Sequence, residues 1–332
     1  MYHPKIAIVG CGAVIQQFYL PAFIKLNLKP TVFIDKNLSL VAKLSKQFDV
    51  KKLGDNYLNF LEDIDAVIIA TPNSFHAPQC IDLLNQQKHV LIEKPMALNF
   101  SDSQIMIQAA EKNELVFTVG LMRRFFDSSR WVKLLLEEKV LGDIISFDFR
   151  EGGIFNWPIQ SASLFDPRYS GGGVLADTGA HTLDLLLWWL GEYENVQYTD
   201  DNYGGVEANC MLHLKMKSGA KGTIELSRMR ELRNSAIIKG TKGEVEIKFY
   251  YNHIEASPKS IFKFKKNGLR GDKLSKQSIA DLFVLELKNW ISSICSKEKI
   301  FIAPHEAAQH VKLIEQCYAN CKSLKLSWME IP

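Results

Sequence analysis

The sequence predicts an α/β protein: a doubly wound parallel sheet, followed by an α+β part built on a large, mostly antiparallel open sheet. Three observations predict it. Short apolar runs alternate with longer amphipathic ones through the first third of the chain. Beyond residue 120 the rhythm changes to strand-like runs separated by glycine turns. Gly10 and Gly12 directly follow the first apolar run, where a tight turn joins a strand to a helix.

The elements follow in order. Apolar strands are expected at 6–9, 31–34, 66–70, 90–92 and 116–119, with helices at 14–26, 38–47, 77–87 and 101–112 between them. Strands apolar on both faces and spaced by helices make βαβ units in a parallel sheet. Ligands of such a sheet sit beyond the carboxyl ends of its strands. The second part is expected to open with a helix at 131–139 and a strand at 144–150. A long irregular loop rich in Gly, Pro, Ser and aromatics spans 152–173, and long loops inside compact proteins are often functional. A helix at 182–190, strands at 207–216, 221–227, 236–239, 244–250 and 260–264, and helices at 279–295 and 306–321 complete the chain. Gly204-Gly205, Ser218-Gly219 and Lys242-Gly243 mark turns. The domains divide as 1–121 and 122–332.

The 332 residues carry a net charge of +3, which gives no electrostatic case for nucleic acid or an anionic membrane. The longest apolar run, Leu185 to Leu190, is far short of the ~20 residues that cross a bilayer. No signal-peptide pattern opens the chain. Six cysteines are scattered with no CxxC pair, and Cys317 and Cys321 are most simply two small apolar side chains on one helix face. Reduced thiols and a cytoplasmic protein are expected.

The glycine turn reads as a nucleotide site. Gly10 permits the turn, Gly12 lets the backbone approach a pyrophosphate, and Ala13 and Val14 open the helix whose N-terminus would hold it. Ile15 stands where the usual fingerprint has a third glycine, so the helix is expected to sit farther from the strand. Asp35, at the end of the second strand, suits ribose hydroxyls and favours NAD over NADP, while the adjacent Lys36 keeps NADP open.

Three further segments carry chemistry. Thr71-Pro72-Asn73, with His76 beyond it, follows the strand at 66–70, where cofactor-lining loops belong. Glu93-Lys94-Pro95 follows the strand at 90–92 and places a lysine at the crevice, with the Lys94–Pro95 peptide expected in the cis form. Gly171-Gly172-Gly173, read as a flexible leader, runs into Asp177, Gly179, His181 and Asp184. Asp177 and His181 are four apart and share a helix face, and a histidine beside a carboxylate can move a proton near neutral pH. Taken singly, His181 reads more readily as a packed or capping residue, Asp177 can be an N-cap, and Asp184 is mainly structural. A metal held by these three lacks a further His or Cys to complete its first shell, so no metal is expected.

In order and spacing these four motifs resemble the glucose–fructose oxidoreductase, inositol dehydrogenase and rhizopine-catabolism (Gfo/Idh/MocA) oxidoreductases, over nearly the whole chain. Leu141-Gly142 before the strand at 144 is similar too, and Ile15 is the departure. The resemblance implies an N-terminal Rossmann domain, an NAD(P) cofactor, and hydride transfer at a secondary alcohol or ketone of a sugar, a sugar derivative or a cyclitol. It implies that Lys94 stabilises charge on the reacting oxygen, that His181 is the general base or acid, and that Asp177 orients and tunes both. It also implies a homodimer or homotetramer packed on the second sheet. Aromatic and polar side chains in the long loop, Asn156, Trp157 and Tyr169 among them, suit the apolar faces and polar rim of a sugar ring. Arg123, Arg124 or Arg168 is expected to bind a substrate phosphate or carboxylate. Two alternatives remain: an enzyme that recycles its NAD in place without net oxidation, and a sensing relative that binds without turnover.

Overall fold

The computed structural model describes residues 3–158, 162–296 and 298–324. Its first sheet has six parallel strands: β1 (Ile6–Val9), β2 (Val32–Ile34), β3 (Lys52–Gly54), β4 (Ala66–Ile69), β5 (His89–Ile92) and β6 (Phe117–Val119). Their spatial order is β3-β2-β1-β4-β5-β6. Strands β1, β2, β4 and β6 are buried along their whole length, as both faces of a sheet covered by helices require. Helices α1 (Leu20–Lys25), α2 (Leu38–Phe48), α3 (His76–Asn85) and α4 (Phe100–Lys112) are the crossovers. The side chains of Asn37 and Asn99 accept from the backbone N–H groups of Leu40 and Asp102, which caps α2 and α4. The order reverses between β1 and β4, and that switch point is where the sheet offers a ligand crevice.

The second sheet has eight strands in the order β13-β12-β11-β7-β10-β9-β8-β16. They are β7 (Ile144–Gly152), β8 (Tyr193–Asp200), β9 (Asn209–Met216), β10 (Lys221–Ser227), β11 (Ser235–Gly240), β12 (Gly243–Lys248), β13 (Ile254–Ser257) and the short β16 (Lys322–Ser323). Two short strands, β14 (Lys265–Lys266) and β15 (Leu269–Arg270), form a separate hairpin. Among the described residues only β7 with β10 and β8 with β16 pair in parallel, so the sheet is mostly antiparallel. One face packs on α5 (Asp127–Glu137), α7 (Thr178–Leu190), which the one-turn α6 (Pro167–Ser170) precedes, and α9 (Pro304–Ala319), around Phe149, Leu183, Leu212, Ile238 and Leu313.

The short strands β3 and β13 are not among the expected ones, and two further departures have a plain physical cause. The segment at 260–264 is not a strand; Lys259–Lys263 winds as a 3₁₀ helix after the cis Ser257–Pro258 bond. Ile-Phe-Lys-Phe-Lys alternates like a strand, yet the chain has to turn back here at the sheet edge. The strand β8 goes unrecognised in the sequence, because only Val196, Tyr198 and Asp200 of its eight residues are buried. The Lys94–Pro95 bond is cis.

Helix α8 (Ile279–Ser296) returns to the first sheet. Leu282, Phe283, Leu287 and Trp290 join the core formed by Ile8, Ile15 and Phe23. The last third of the chain therefore closes over the first, and residues far apart in sequence meet behind the crevice.

Candidate functional site

The site is assembled from the loops that leave the carboxyl ends of β1, β2, β4 and β5. Gly10 follows β1 with φ of +85°, donates to the Ile34 carbonyl at 2.8 Å, and would bring a side chain to 2.5 Å from the Ala70 carbonyl oxygen. Only glycine fits both the left-handed backbone and the close approach. Ile15 is fully buried, and Ile15–Tyr19 winds as a π-helical turn before α1. The isoleucine is thus taken up by the first core, with i→i+5 bonding at the start of the cofactor helix. The leading amides of that segment, at Gly12, Ala13 and Val14, lie where a helix start offers donors to an anion. Asp35 accepts from the Cys11 N–H at 2.7 Å and the Asn37 N–H at 2.8 Å, which places its carboxylate beside the glycine turn with Lys36 exposed next to it.

The loop after β4 is tied in three directions. The Thr71 hydroxyl donates to Gln79 at 2.7 Å, and Asn73 donates its amide to the Ser170 carbonyl at 2.7 Å, with Pro72 exposed between them. His76 corrects its expectation as a cofactor contact. Its ring is fully buried, with Nδ1 at 2.8 Å from the Pro95 carbonyl and Nε2 at 2.9 Å from the Thr71 carbonyl. It joins the loops after β4 and β5, and burial depresses its pKa to about 4. Glu93 also turns inward: it accepts from the Tyr19 hydroxyl at 3.0 Å and from the Lys94 N–H at 3.2 Å.

Lys94 faces the opposite way. Its Nζ donates to Asp177 Oδ1 at 2.5 Å and to the Asp177 carbonyl at 3.2 Å. The other carboxylate oxygen of Asp177 takes Arg228 Nη2 at 2.7 Å. Burial works against this carboxylate, but the lysine and the guanidinium prevail and hold it ionised, well below the usual carboxylate range. Asp177 sits at the N-cap position of α7 without capping it, so its side chain is free for the two cations. His181 follows one turn later. Burial, then the charges of Arg123, Lys94 and His310, push its pKa well below the ordinary imidazole value, so the ring is neutral. Its Nδ1 is buried without a partner.

The triple glycine is clamped, which corrects its reading as a flexible leader. Glu207 accepts from the Gly173 N–H and the Leu175 N–H, both at 2.8 Å, and from the Tyr318 hydroxyl at 2.8 Å. A side chain on Gly173 would lie 2.0 Å from the Glu207 carbonyl oxygen. This clamp fixes the entry to α7 and hence the placing of Asp177 and His181.

Arg123 and Arg124, expected at a substrate phosphate or carboxylate, are turned to carboxylates of the protein instead. Arg123 donates both terminal nitrogens to the fully buried Glu151, at 2.9 and 2.6 Å. Arg124 makes a two-pronged pair with Asp184, at 2.9 and 2.7 Å, and a third bond to Glu306 at 2.6 Å. Asp184 is structural, as one of its two readings had it, and both carboxylates of the metal alternative are occupied by cations. Arg168 lies exposed and folds onto Asp166, with its Nη2 at 2.6 Å. Trp157 stacks on Phe18 at 6.1 Å, Asn156 is exposed beside it, and Tyr169 lies 6.2 Å from Phe75. Trp157 and Tyr169 thus touch the helix segment after the glycine turn and the loop after β4, respectively.

Arg228, Glu207 and Glu151 are missing from the sequence reading. Arg228 directly follows β10, 51 residues past its partner Asp177, and no local pattern distinguishes it from Arg230 or Arg233.

Comparison with known proteins agrees with this fold. The model of the GFO_IDH_MocA oxidoreductase family, NAD-binding Rossmann fold, matches residues 4–121, and the GFO/IDH/MocA C-terminal domain model matches residues 129–246. An oxidoreductase of Formosa agariphila is 28% identical over 277 residues, 79% of this chain and 82% of that protein. The levoglucosan dehydrogenase of Pseudarthrobacter phenanthrenivorans is 26% identical over 64% of this chain, which spans 63% of that enzyme's length. Among solved structures, the WlbA dehydrogenase of Bordetella pertussis, in complex with NADH and UDP-GlcNAcA, superposes with a TM-score of 0.80 at 20% identity, over 96% of both chains.

Proposed function

Because this chain belongs to the Gfo/Idh/MocA oxidoreductase family, whose NAD-binding Rossmann domain it carries, we propose that it transfers hydride between NAD and a secondary alcohol or ketone of a sugar, a sugar derivative or a cyclitol. The observation that carries the reading is the Lys94–Asp177 pair at 2.5 Å, with a neutral His181 one helical turn past Asp177 and near enough to feel the charge of Lys94. Bound NAD supplies the hydride acceptor or donor; the protein's residues do the rest. Gly10, Gly12, Ala13, Val14 and Asp35 hold the nucleotide, with the Thr71–Asn73 loop lining it. The Lys94 ammonium lies against the substrate oxygen and stabilises the charge that builds there as the carbon–hydrogen bond breaks. The His181 imidazole, uncharged, takes the hydroxyl proton in oxidation and returns it in reduction. Asp177 stays ionised, and fixes the ammonium. Arg228 holds the second oxygen of Asp177, so the carboxylate cannot swing away from Lys94.

A ring of C–H faces edged by hydroxyls suits the exposed Trp157, Tyr169 and Asn156, and related enzymes carry sugar names such as levoglucosan dehydrogenase. The test is a panel of sugars, sugar acids and cyclitols with NAD, read as NADH released in step with product. A substrate in the panel, with turnover abolished in Lys94→Ala and NAD binding kept, supports the reading. NAD that stays bound through product formation supports recycling in place instead.

The outer face of the second sheet carries alternating polar side chains, among them Asp148, Thr223 and His213, and it supports the proposal of a homodimer or homotetramer packed there. Light scattering at working concentration is expected to give a multiple of 37.7 kDa. Among the described residues no helix is long and apolar enough to cross a membrane. Buried, unbridged Cys11, Cys80, Cys210 and Cys317 accord with the cytoplasm.

A further inference from the structure

Behind Lys94, on the side away from the cleft, two carboxylates share one tyrosine. The Tyr19 hydroxyl lies 3.0 Å from Glu93 Oε1 and 3.0 Å from Glu286 Oε2. All three side chains are buried: Tyr19 fully, Glu286 to 2% exposure, Glu93 to 8%. Two hydrogen bonds along a chain of three oxygens need two hydrogens. The phenol supplies one. An ionised carboxylate supplies none, so one of the two glutamates must be a carboxylic acid.

The surroundings decide which. Burial raises the Glu93 pKa, but Glu93 accepts from the Lys94 N–H and stands beside the Lys94 charge, and both favour its ionised form. Glu286, in the middle of α8, has no cation against it. The groups that face it are Tyr19 from the π-helical turn and Glu93 from the end of β5. Of the charged groups on the other elements packed against α8, Lys25 of α1 pairs with Asp281 near the start of the helix. Arg123 and Arg124 are turned to Glu151 and Asp184. The remaining oxygen of Glu286, Oε1, is buried with no partner, a position far more costly for a carboxylate than for a neutral carbonyl oxygen.

We infer that Glu286 is a neutral carboxylic acid whose proton donates to Tyr19, so that Tyr19 donates to an ionised Glu93, and that this chain is a positioning device for the cofactor helix and for the loop that presents Lys94. The chain ties three places together: the π-helical turn after the phosphate-binding glycines, the residue preceding Lys94, and α8. Gly120 belongs to the device, because a side chain there would meet Glu93 Oε1 at 2.9 Å and the Tyr19 hydroxyl at 3.2 Å. Burial, together with the charge of Glu93, raises the Glu286 pKa well above the usual carboxylate value, in line with the proton count.

The direction of the pH effect follows. A carboxyl with a raised folded-state pKa binds more protons folded than unfolded. Its contribution to stability is complete below the unfolded value of ~4.3 and is lost as pH rises toward the folded one, by up to about tenfold in the folding equilibrium per pH unit. Glu286→Gln keeps a donor for Tyr19 and removes the proton.

Infrared spectra of the full chain test the assignment without any substrate. A protonated-carboxyl stretch at neutral pH, lost in Glu286→Gln and kept in Glu93→Gln, is expected. No such band in the wild type, or a band that survives Glu286→Gln, overturns the assignment. If Glu286→Gln fails to fold, Tyr19→Phe serves in its place. It removes the acceptor, so the wild-type band shifts to the position of a free acid, and an unmoved band overturns the assignment. NAD binding by calorimetry tests the positioning role. Glu286→Leu is expected to bind NAD about tenfold more weakly, the loss of one hydrogen bond of ~1.4 kcal/mol, and Glu286→Gln to restore it. Wild-type affinity in Glu286→Leu overturns that role. The infrared result stands whatever the substrate proves to be.

Discussion

His181→Ala is expected to lower kcat about 100- to 10,000-fold, the usual worth of a positioned general base, and to leave NAD affinity unchanged. The geometry sets this expectation. The imidazole sits one turn into α7, with Nδ1 buried and unpartnered, which leaves Nε2 to meet the hydroxyl. Burial and the neighbouring cations of Arg123 and Lys94 keep the ring uncharged, so it is in the proton-accepting form throughout the neutral range. The acid limb of kcat/KM for oxidation should therefore fall well below the ordinary imidazole pKa. A histidine in water, by contrast, would lose half its activity near pH 6.5. The same cations make the imidazolium formed in the reaction expensive, so the proton has to leave before the next turnover. Stopped-flow and steady-state rates across the pH range check both points. Wild-type turnover in the alanine variant would take the imidazole out of the chemistry.

What could be read from the sequence is what the local chain must satisfy. Gly10 declares itself because no other residue fits φ of +85° against the Ala70 carbonyl. Lys94 is legible because it ends an apolar strand beside a proline, and Asp177 with His181 because their spacing is one helical turn. The residues that complete the site come from elsewhere. Arg228 reaches Asp177 across 51 positions, Glu207 reaches Gly173 across 34, and Glu286 reaches Tyr19 across 267. Each is an ordinary charged residue in its own segment, and its partner comes from a distant element: the π-helical turn for Glu286, and the entry to α7 for Arg228 and Glu207. Arg123 and Arg124 show the converse. Their place just beyond a strand end suggested the crevice, but the turn Met122–Phe125 is buried by α7, α8 and β7, and buried guanidinium groups take buried carboxylates. Sequence position gives the end of the strand; burial is a property of the whole fold.

The pair Arg124–Asp184 is the second place where a large effect is expected. Both side chains are buried, at 1% and 3% exposure, and they meet through two parallel bonds. Asp184→Ala leaves the guanidinium in the core with Glu306, itself 46% exposed, as its remaining anion. Breaking such a pair by removing one partner typically costs about 3–5 kcal/mol, because the surviving charge is neither solvated nor compensated. Urea unfolding should show a lower midpoint at an unchanged slope. The loss should also reach the chemistry, since Asp184 lies three residues past His181 on α7 and fixes that helix against the turn at Arg124. A second variant separates charge from packing. Arg124→Met with Asp184→Leu removes both partners and should recover most of the stability, because apolar groups of similar size fill a buried pair's place with little penalty. If Asp184→Ala instead costs less than about 1 kcal/mol, the pair behaves as an exposed one, and water reaches Arg124 in the folded protein.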